Sequence, residues 1–251
     1  MTVLTVSRLS ERLVLLQLQG DERLEDWRPG QFVNVRTDAP DLLLRRPISI
    51  HDIDLSTRTL SLLVQVVGRG THHLASLQAG DSVNLIGPLG TGFKMPERGG
   101  NVLLIGGGVG AAPMLYLGRT MHEAGAGVTF LMGARTSSEL VRQDVYARWG
   151  DVHLTTDDGT AGMKGLITAH DVLCKTFDAW YVCGPMPMMR AVAQMALARG
   201  VRCQVSLENR MACGIGACLC CVVRDVNGQH RCTCTEGPVF DASEIFSLTD
   251  C

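Results

Sequence analysis

Two rhythms of apolar positions divide this chain, and the change between them falls near Asn101. From Met1 to about Gly100, short apolar runs (L-V-L-L-Q-L, F-V-N-V-R, P-I-S-I, L-S-L-L-V-Q-V-V) are separated by glycine, proline and aspartate turns. Runs of that length and punctuation predict strands, and their succession predicts a small antiparallel barrel. Only T-H-H-L-A-S-L in this stretch reads as a short helix. From Asn101 strand and helix alternate: N-V-L-L-I passes through glycines into A-P-M-L-Y-L-G-R-T-M-H-E-A-G. The strands V-T-F-L-M-G, V-H-L-T-T and A-W-Y-V-C-G-P follow, with M-M-R-A-V-A-Q-M-A-L-A-R-G among the helices. That alternation predicts a parallel α/β sheet. After about Val205 neither rhythm holds, and a cysteine-rich segment begins. The expected fold class is α/β plus all-β, in three parts: an antiparallel barrel over 1–100, a parallel α/β nucleotide-binding unit over 101–205 and a cysteine-rich segment over 206–251.

Composition narrows the function classes. At 251 residues and 46% hydrophobic content the chain buries full cores without disulfide staples. The formal net charge is -2, with no block of lysine and arginine, which argues against a nucleic-acid partner. No uninterrupted apolar stretch reaches the roughly 18 to 20 residues that span a bilayer. The start, M-T-V-L-T-V-S-R, has no signal-like apolar region, so a soluble, cytoplasmic protein with reduced thiols is expected.

The cysteines change the picture most. M-A-C-G-I-G-A-C-L-C-C-V-V-R places Cys213, Cys218 and Cys221 at C-x4-C-x2-C spacing, and C-T-C-T-E-G-P-V-F brings Cys234 later. One loop with three thiolates and a later fourth is the plant-type arrangement around a [2Fe-2S] cluster, which exchanges single electrons. Soft anionic thiolates suit sulfide-bridged iron, and Gly214 and Gly216 let the loop curl with its amides toward sulfur. A structural zinc site instead pairs two short knuckles. Cys232 and Cys234 alternate along what reads as a strand, so only one faces the cluster. Cys234, ahead of the turn-like E-G-P, is the expected ligand; Cys220 reads as a packed thiol.

Three further signals concern phosphate and nucleotide. R-R-P-I-S-I at 45–50 sets adjacent arginines beside a serine hydroxyl, a fork of donors suited to a pyrophosphate. G-R-G-T at 68–71 opens the short helix, where free amides favour a phosphate, and His72 and His73 beside it read as surface or packing residues. I-G-G-G-V-G-A-A-P at 105–113 links a strand to a helix, with Gly108, Gly110 and Pro113 in a G-x-G-x-x-P variant of the dinucleotide loop. Y-V-C-G-P-M sets Cys183, Gly184 and Pro185 at the carboxyl edge of the same expected sheet, where such sheets bind ligands. Cys183 reads equally as a nicotinamide neighbour and as a buried thiol.

Together R-P-x-S, G-x-G-T, G-G-G-x-G-x-x-P and C-G-P-x-x-M resemble the ferredoxin reductase superfamily. E-N-R-M-A-C-G-I-G-A-C with C-x-E-G-P-V-F narrows the resemblance to the electron-transfer subunits of two-component, NAD-dependent dihydroorotate dehydrogenases, over essentially the whole chain. The resemblance implies FAD held by Arg46, Pro47, Ile48 and Ser49, by Leu63, Val64 and Gln65, and by Gly70 and Thr71. It implies a [2Fe-2S] cluster on Cys213, Cys218, Cys221 and Cys234, with Cys232 and Cys220 as departures from the pattern. It further implies NAD as electron acceptor, a flavin-bearing catalytic subunit as partner, a heterotetramer of two subunit pairs and a role in de novo pyrimidine synthesis. Arg135, with Thr136 and Ser137 after the second α/β strand, raises the question of NADP, because a cation there can meet a 2′-phosphate. Two other classes stand beside this reading: an NAD(P)H-driven reductase serving an oxygenase or another acceptor, and a non-catalytic redox sensor or zinc-stabilised module.

Overall fold

A computed structural model describes residues 1–37, 42–96 and 99–248. The first sheet is built from β1 (Thr2–Arg8), β2 (Leu13–Gln19), β3 (Phe32–Val35), β4 (Arg46–Asp54), β5 (Thr59–Gln65) and, after helix α1 (Arg69–Ala75), β6 (Leu85–Leu89). All pairings are antiparallel and run in the order β1-β2-β5-β4-β3-β6. The Val3 amide donates to Asp81 and the Val83 amide to Met1, which brings β1 back against the approach to β6 and closes the barrel. β2 and β5 are nearly continuous apolar runs because both of their faces are covered. Leu16, Leu18, Leu60, Leu62 and Val64 fill the barrel, while Leu13 and Leu63 pack outward against Ala112.

The second sheet begins with β7 (Gly100–Gly107), followed by α2 (Ala112–Glu123), β8 (Ala126–Ala134), α3 (Gln143–Tyr146), β9 (Asp151–Thr156), β10 (Met163–Lys164), β11 (Ala179–Cys183), α4 (Met186–Ala198) and β12 (Arg202–Ser206). The cysteine-rich remainder forms a small hairpin, β13 (Val222–Arg224) and β14 (His230–Cys232), then β15 (Val239–Asp241) and α5 (Ala242–Ile245). Strand order is β10-β9-β8-β7-β11-β12-β15, parallel except for β15. The chain leaves β7 toward β8 on one side and returns to β11 on the other, so the direction of winding reverses between β7 and β11. A crevice opens at the carboxyl ends of strands at such a switch point.

Two joints fix these parts to one another. α2 lies against β4: the buried His51 Nδ1 donates to the Ala112 carbonyl at 2.7 Å, Arg119 pairs with Asp52 at 2.8 Å, and the Tyr116 hydroxyl donates to the Trp27 carbonyl at 2.9 Å. The C-terminal segment is tied to both sheets, since β15 completes the second one and the Thr91 amide of the barrel donates to the Gly237 carbonyl at 2.6 Å. None of the described helices is long and apolar enough to cross a membrane.

Candidate functional site

At the switch point a cavity of about 570 Å³ opens over the carboxyl ends of β7, β8, β9 and β11. Gly107, Gly108 and Gly110 form one lip, and Gly184 and Pro185 the other. The lips touch because Gly110 has no side chain: a Cβ there would stand 2.5 Å from the Cys183 carbonyl oxygen. Arg135, Glu139 and Asp157 line the far end. Pro113 begins α2 from a buried position, and Cys183 is also buried, its thiol pushed far up by desolvation; neither lines the cavity.

A second cavity, about 240 Å³, lies between the barrel and the C-terminal segment. Pro47, Ile48 and Ser49 of β4, Leu63 and Gln65 of β5, and Thr71 of α1 line it. Val64, between Leu63 and Gln65, alternates inward to the barrel core and does not line the cavity. Gly70 sits where a Cβ would overlap the Arg46 guanidinium, so Arg46 lies across the first turn of α1. The expected fork of two arginines is not present. Arg45 turns away and donates to Asn84 Oδ1 at 2.7 Å, because Asn84 beside β6 offers it an acceptor.

The two cavities share three walls: Gln65, Val109 and Glu208. Glu208 is exposed to solvent in both, and the protein atoms packed around its carboxyl desolvate it enough to raise it above the ordinary range. Sequence reasoning quoted Glu208 only as part of a family string and missed Glu139 and Asp157. An acidic residue just beyond a strand of the α/β unit was the available signal.

The cysteine loop adjoins the second cavity. Cys221 and Cys234 are buried with Phe32 and Met211, and both of the latter also line that cavity. Cys213 is half-buried and Cys218 exposed. Gly214 and Gly216 take φ values of +74° and +79°, which turn the Ile215 amide onto Cys213 Sγ at 3.4 Å and the Gly216 amide onto Cys234 Sγ at 3.2 Å. The Cys213 thiol is pulled down to about 6, first by the Ile215 amide and then by Cys218, while burial pushes Cys234 up to about 11. Asn34 is wholly buried with both side-chain amide atoms unpartnered, and a Cβ on Gly214 would stand 2.9 Å from its Nδ2. Thiols backed by amides in a cradle that Cβ atoms would fill suit a thiolate-bound cluster. Among the described residues no three His, Cys, Asp or Glu side chains are drawn together as a single-ion site.

One expectation about this loop needs correcting. Cys232 ends β14, but Cys234 lies in the turn after it, so the two are not alternating positions of one strand. The turn instead brings both inward, and Cys232 packs on the same small core as Cys221 and Cys234. Glu236 holds this turn, accepting from the Cys232 amide at 2.6 Å and from Arg231 Nε at 2.6 Å.

Residues 1–93 match the family described as oxidoreductase FAD-binding domain, and residues 208–246 match the iron-sulfur cluster binding domain of dihydroorotate dehydrogenase B. A solved structure of an NADH-dependent reduced ferredoxin-NADP oxidoreductase, studied for flavin-based electron bifurcation, is similar at TM-score 0.87 and 32% identity, covering 97% of this chain and 88% of its own. Barrel, switch-point sheet and cysteine loop thus define a ferredoxin-reductase-like flavoprotein with an iron–sulfur segment. The curated relatives are more specific. The electron transfer subunit of dihydroorotate dehydrogenase B (NAD(+)) from Shouchella clausii (strain KSM-K16) is 41% identical over 98% of this chain and 96% of its own length. Its counterpart from Bacillus caldolyticus is 38% identical over 98% and 97%. The chain belongs to the family of dihydroorotate dehydrogenase B electron transfer subunits.

Proposed function

We propose that this chain takes electrons from a separate subunit that oxidises dihydroorotate and delivers them to NAD+, in the cytoplasm and within de novo pyrimidine synthesis. The observation that carries the reading is continuity. Phe32 and Met211 belong both to the core around Cys221 and Cys234 and to the wall of the 240 Å³ cavity. Gln65, Val109 and Glu208 then wall both that cavity and the 570 Å³ cavity at the switch point. Three adjoining compartments in that order match a carrier chain.

In this reading residues 1–100 hold FAD, 101–205 receive NAD+ as substrate and 206–251 hold the [2Fe-2S] cluster. The last three residues of that segment lie outside the described ones. When bound, the cluster supplies one-electron exchange and FAD converts between one- and two-electron exchange, which hydride acceptance by NAD+ requires. Cys213, Cys218, Cys221 and Cys234 ligate the cluster. Arg46, Ser49, Gly70 and Thr71 orient the flavin's phosphates, and Pro47, Ile48, Leu63, Val64 and Gln65 form its bed. Gly108 and Gly110 bring backbone close to the dinucleotide phosphates, opposite Gly184 and Pro185; Pro113 and Cys183 set the loop and strand behind them. Glu208, at the shared wall, stands where the two compartments meet. Ile215 and Leu219, 59% and 64% exposed, lie beside the exposed Cys218 and Cys220 and present an apolar rim for the catalytic subunit. Two such subunit pairs make the heterotetramer of this reading.

Anaerobic dihydroorotate-dependent NAD+ reduction tests it, with this chain and its co-expressed catalytic subunit assayed together and apart. Activity in the mixture alone is expected. An inactive mixture in which flavin and cluster absorbance are both present would overturn the reading in favour of an NAD(P)H-driven reductase, to which the same compartments lend themselves.

A further inference from the structure

We propose that Glu139 sets the choice of dinucleotide by holding the Arg135 guanidinium away from a 2′-phosphate, so that the chain selects NAD over NADP. The inference rests on the nicotinamide reading of the 570 Å³ cavity. Arg135 follows β8, next to β7 in the parallel sheet, and in open α/β folds the adenosine ribose is read in this region by an acidic side chain or by an arginine. Here both occur, and they occupy each other. Arg135 Nη2 donates to Glu139 Oε1 at 2.5 Å, while its Nε and its backbone amide reach Glu139 Oε2 at 3.4 Å.

Burial shows which partner is fixed. The Glu139 side chain is 18% exposed and that of Arg135 is 65% exposed, so the carboxylate is the recessed anchor and the guanidinium is drawn onto it. Arg135 holds Glu139 below the usual carboxylate range, and the pair stays ionised at neutral pH. Neighbouring donors that a phosphate would use are engaged as well. The Ser137 amide donates to Thr160 Oγ1 at 2.8 Å, and the Thr136 and Thr160 hydroxyls are 3.2 Å apart. Asp158 anchors Thr160, accepting from its amide at 3.0 Å and its hydroxyl at 2.6 Å. Asp157 adds a second carboxylate to the same end of the cavity. A dianionic phosphate entering here meets two carboxylates and one arginine already neutralised, whereas a ribose hydroxyl can donate to a carboxylate.

The test is isothermal titration of NAD+ and NADP+ into the flavin- and cluster-loaded protein. The proteins compared are the wild type, E139A, E139Q and the double variant E139A/R135A, with thermal midpoints checking the fold of each. Wild type is expected to favour NAD+. E139A should move the NADP+ to NAD+ affinity ratio toward NADP+ by about tenfold or more, and adding R135A should remove that gain. E139Q should move the ratio in the same direction and stands in if E139A does not fold. A ratio within about twofold of wild type in the folded variants, or a wild type that already favours NADP+, overturns the proposal. A wild type that binds neither dinucleotide overturns the nicotinamide reading itself, a different result from an unchanged ratio.

Discussion

The barrel and the cysteine loop are ordered by opposite means. The barrel core is hydrocarbon from every strand that faces it: Val3, Leu16, Leu18, Val33, Ile50, Leu60, Leu62 and Val64 are buried together with Leu24, Leu74 and Trp27. Such a core exists whether or not a cofactor is bound, because burial of apolar surface drives it. The cysteine loop has a core of four buried residues, Phe32, Met211, Cys221 and Cys234, and two of them are thiols. Apart from β15, its described strands form one hairpin of two three-residue strands, too short to stand alone in water. The loop's remaining order comes from amides aimed at sulfur and from the Glu236 hydrogen bonds that hold the turn at Cys232. A fold specified by hydrocarbon thus carries a segment held largely by polar contacts around its thiols.

The sharpest way to break this contrast is at Cys221. In the proposed ligand set serine there replaces a soft ligand by a hard one, and C221S should abolish the visible and electron-paramagnetic signals of the cluster. Transfer from the catalytic subunit should fall by at least about a hundredfold, as the loss of a whole carrier requires. The flavin spectrum should remain, since of the barrel strands only Phe32 of β3 shares a core with Cys221, and the residues that fill the barrel interior do not. C218S, at an exposed position, should behave alike and controls for misfolding. Loss of FAD from both variants would mean that barrel and loop are one cooperative unit and the contrast is false.

Acid should open a different joint. His51 is fully buried, and its Nδ1 donates to the Ala112 carbonyl while Nε2 has no partner. Burial, the largest cause, drops its pKa from 6.5 to about 4. Between those values the unfolded chain binds a proton that the folded protein refuses. The contribution is therefore intact above pH 6.5 and is lost as pH falls toward 4, up to about 3 kcal/mol. Denaturant titrations of wild type and H51N over that window should show a shallower decline for H51N, whose amide can still donate to Ala112. Equal slopes would remove His51 from the account. The seam that yields should be barrel against α2, with cluster absorbance outlasting it.

How much of this was legible in the sequence follows from the range of each interaction. α2 and α4 were read nearly to their ends, because glycine, proline and apolar spacing are local signals. Thiols, glycine loops and R-P-I-S were legible because ligands and tight backbone approaches demand particular residue types. The orientation of adjacent residues was not. That Arg45 turns away while Arg46 lies against α1 depends on Asn84, 39 residues beyond Arg45. Cys234 read as a strand position, but the Glu236 hydrogen bonds to Arg231 and to the Cys232 amide make a turn there. V-F at 239–240 was visible only as part of a motif, whereas with Asp241 it completes the second sheet through pairing with β12.

The smallest expected effect tests whether the barrel can lose cofactor affinity without losing its fold. Gly70 lies in the first turn of α1 with no left-handed backbone, so alanine suits its conformation and favours the helix by up to about 1 kcal/mol. The added Cβ would strike the Arg46 guanidinium, the far end of a flexible side chain that swings aside at little cost. Stability and FAD affinity should therefore part company in G70A. The unfolding midpoint should hold or rise slightly, while FAD should bind about tenfold more weakly, about 1.4 kcal/mol, as a displaced charge-assisted donor allows. Combining G70A with R46A should cost little more than R46A alone, because both changes remove the same contact. Additive losses would show that Gly70 acts on FAD through something other than Arg46. A fall in stability equal to the fall in affinity would show that the barrel is held in order by what it binds.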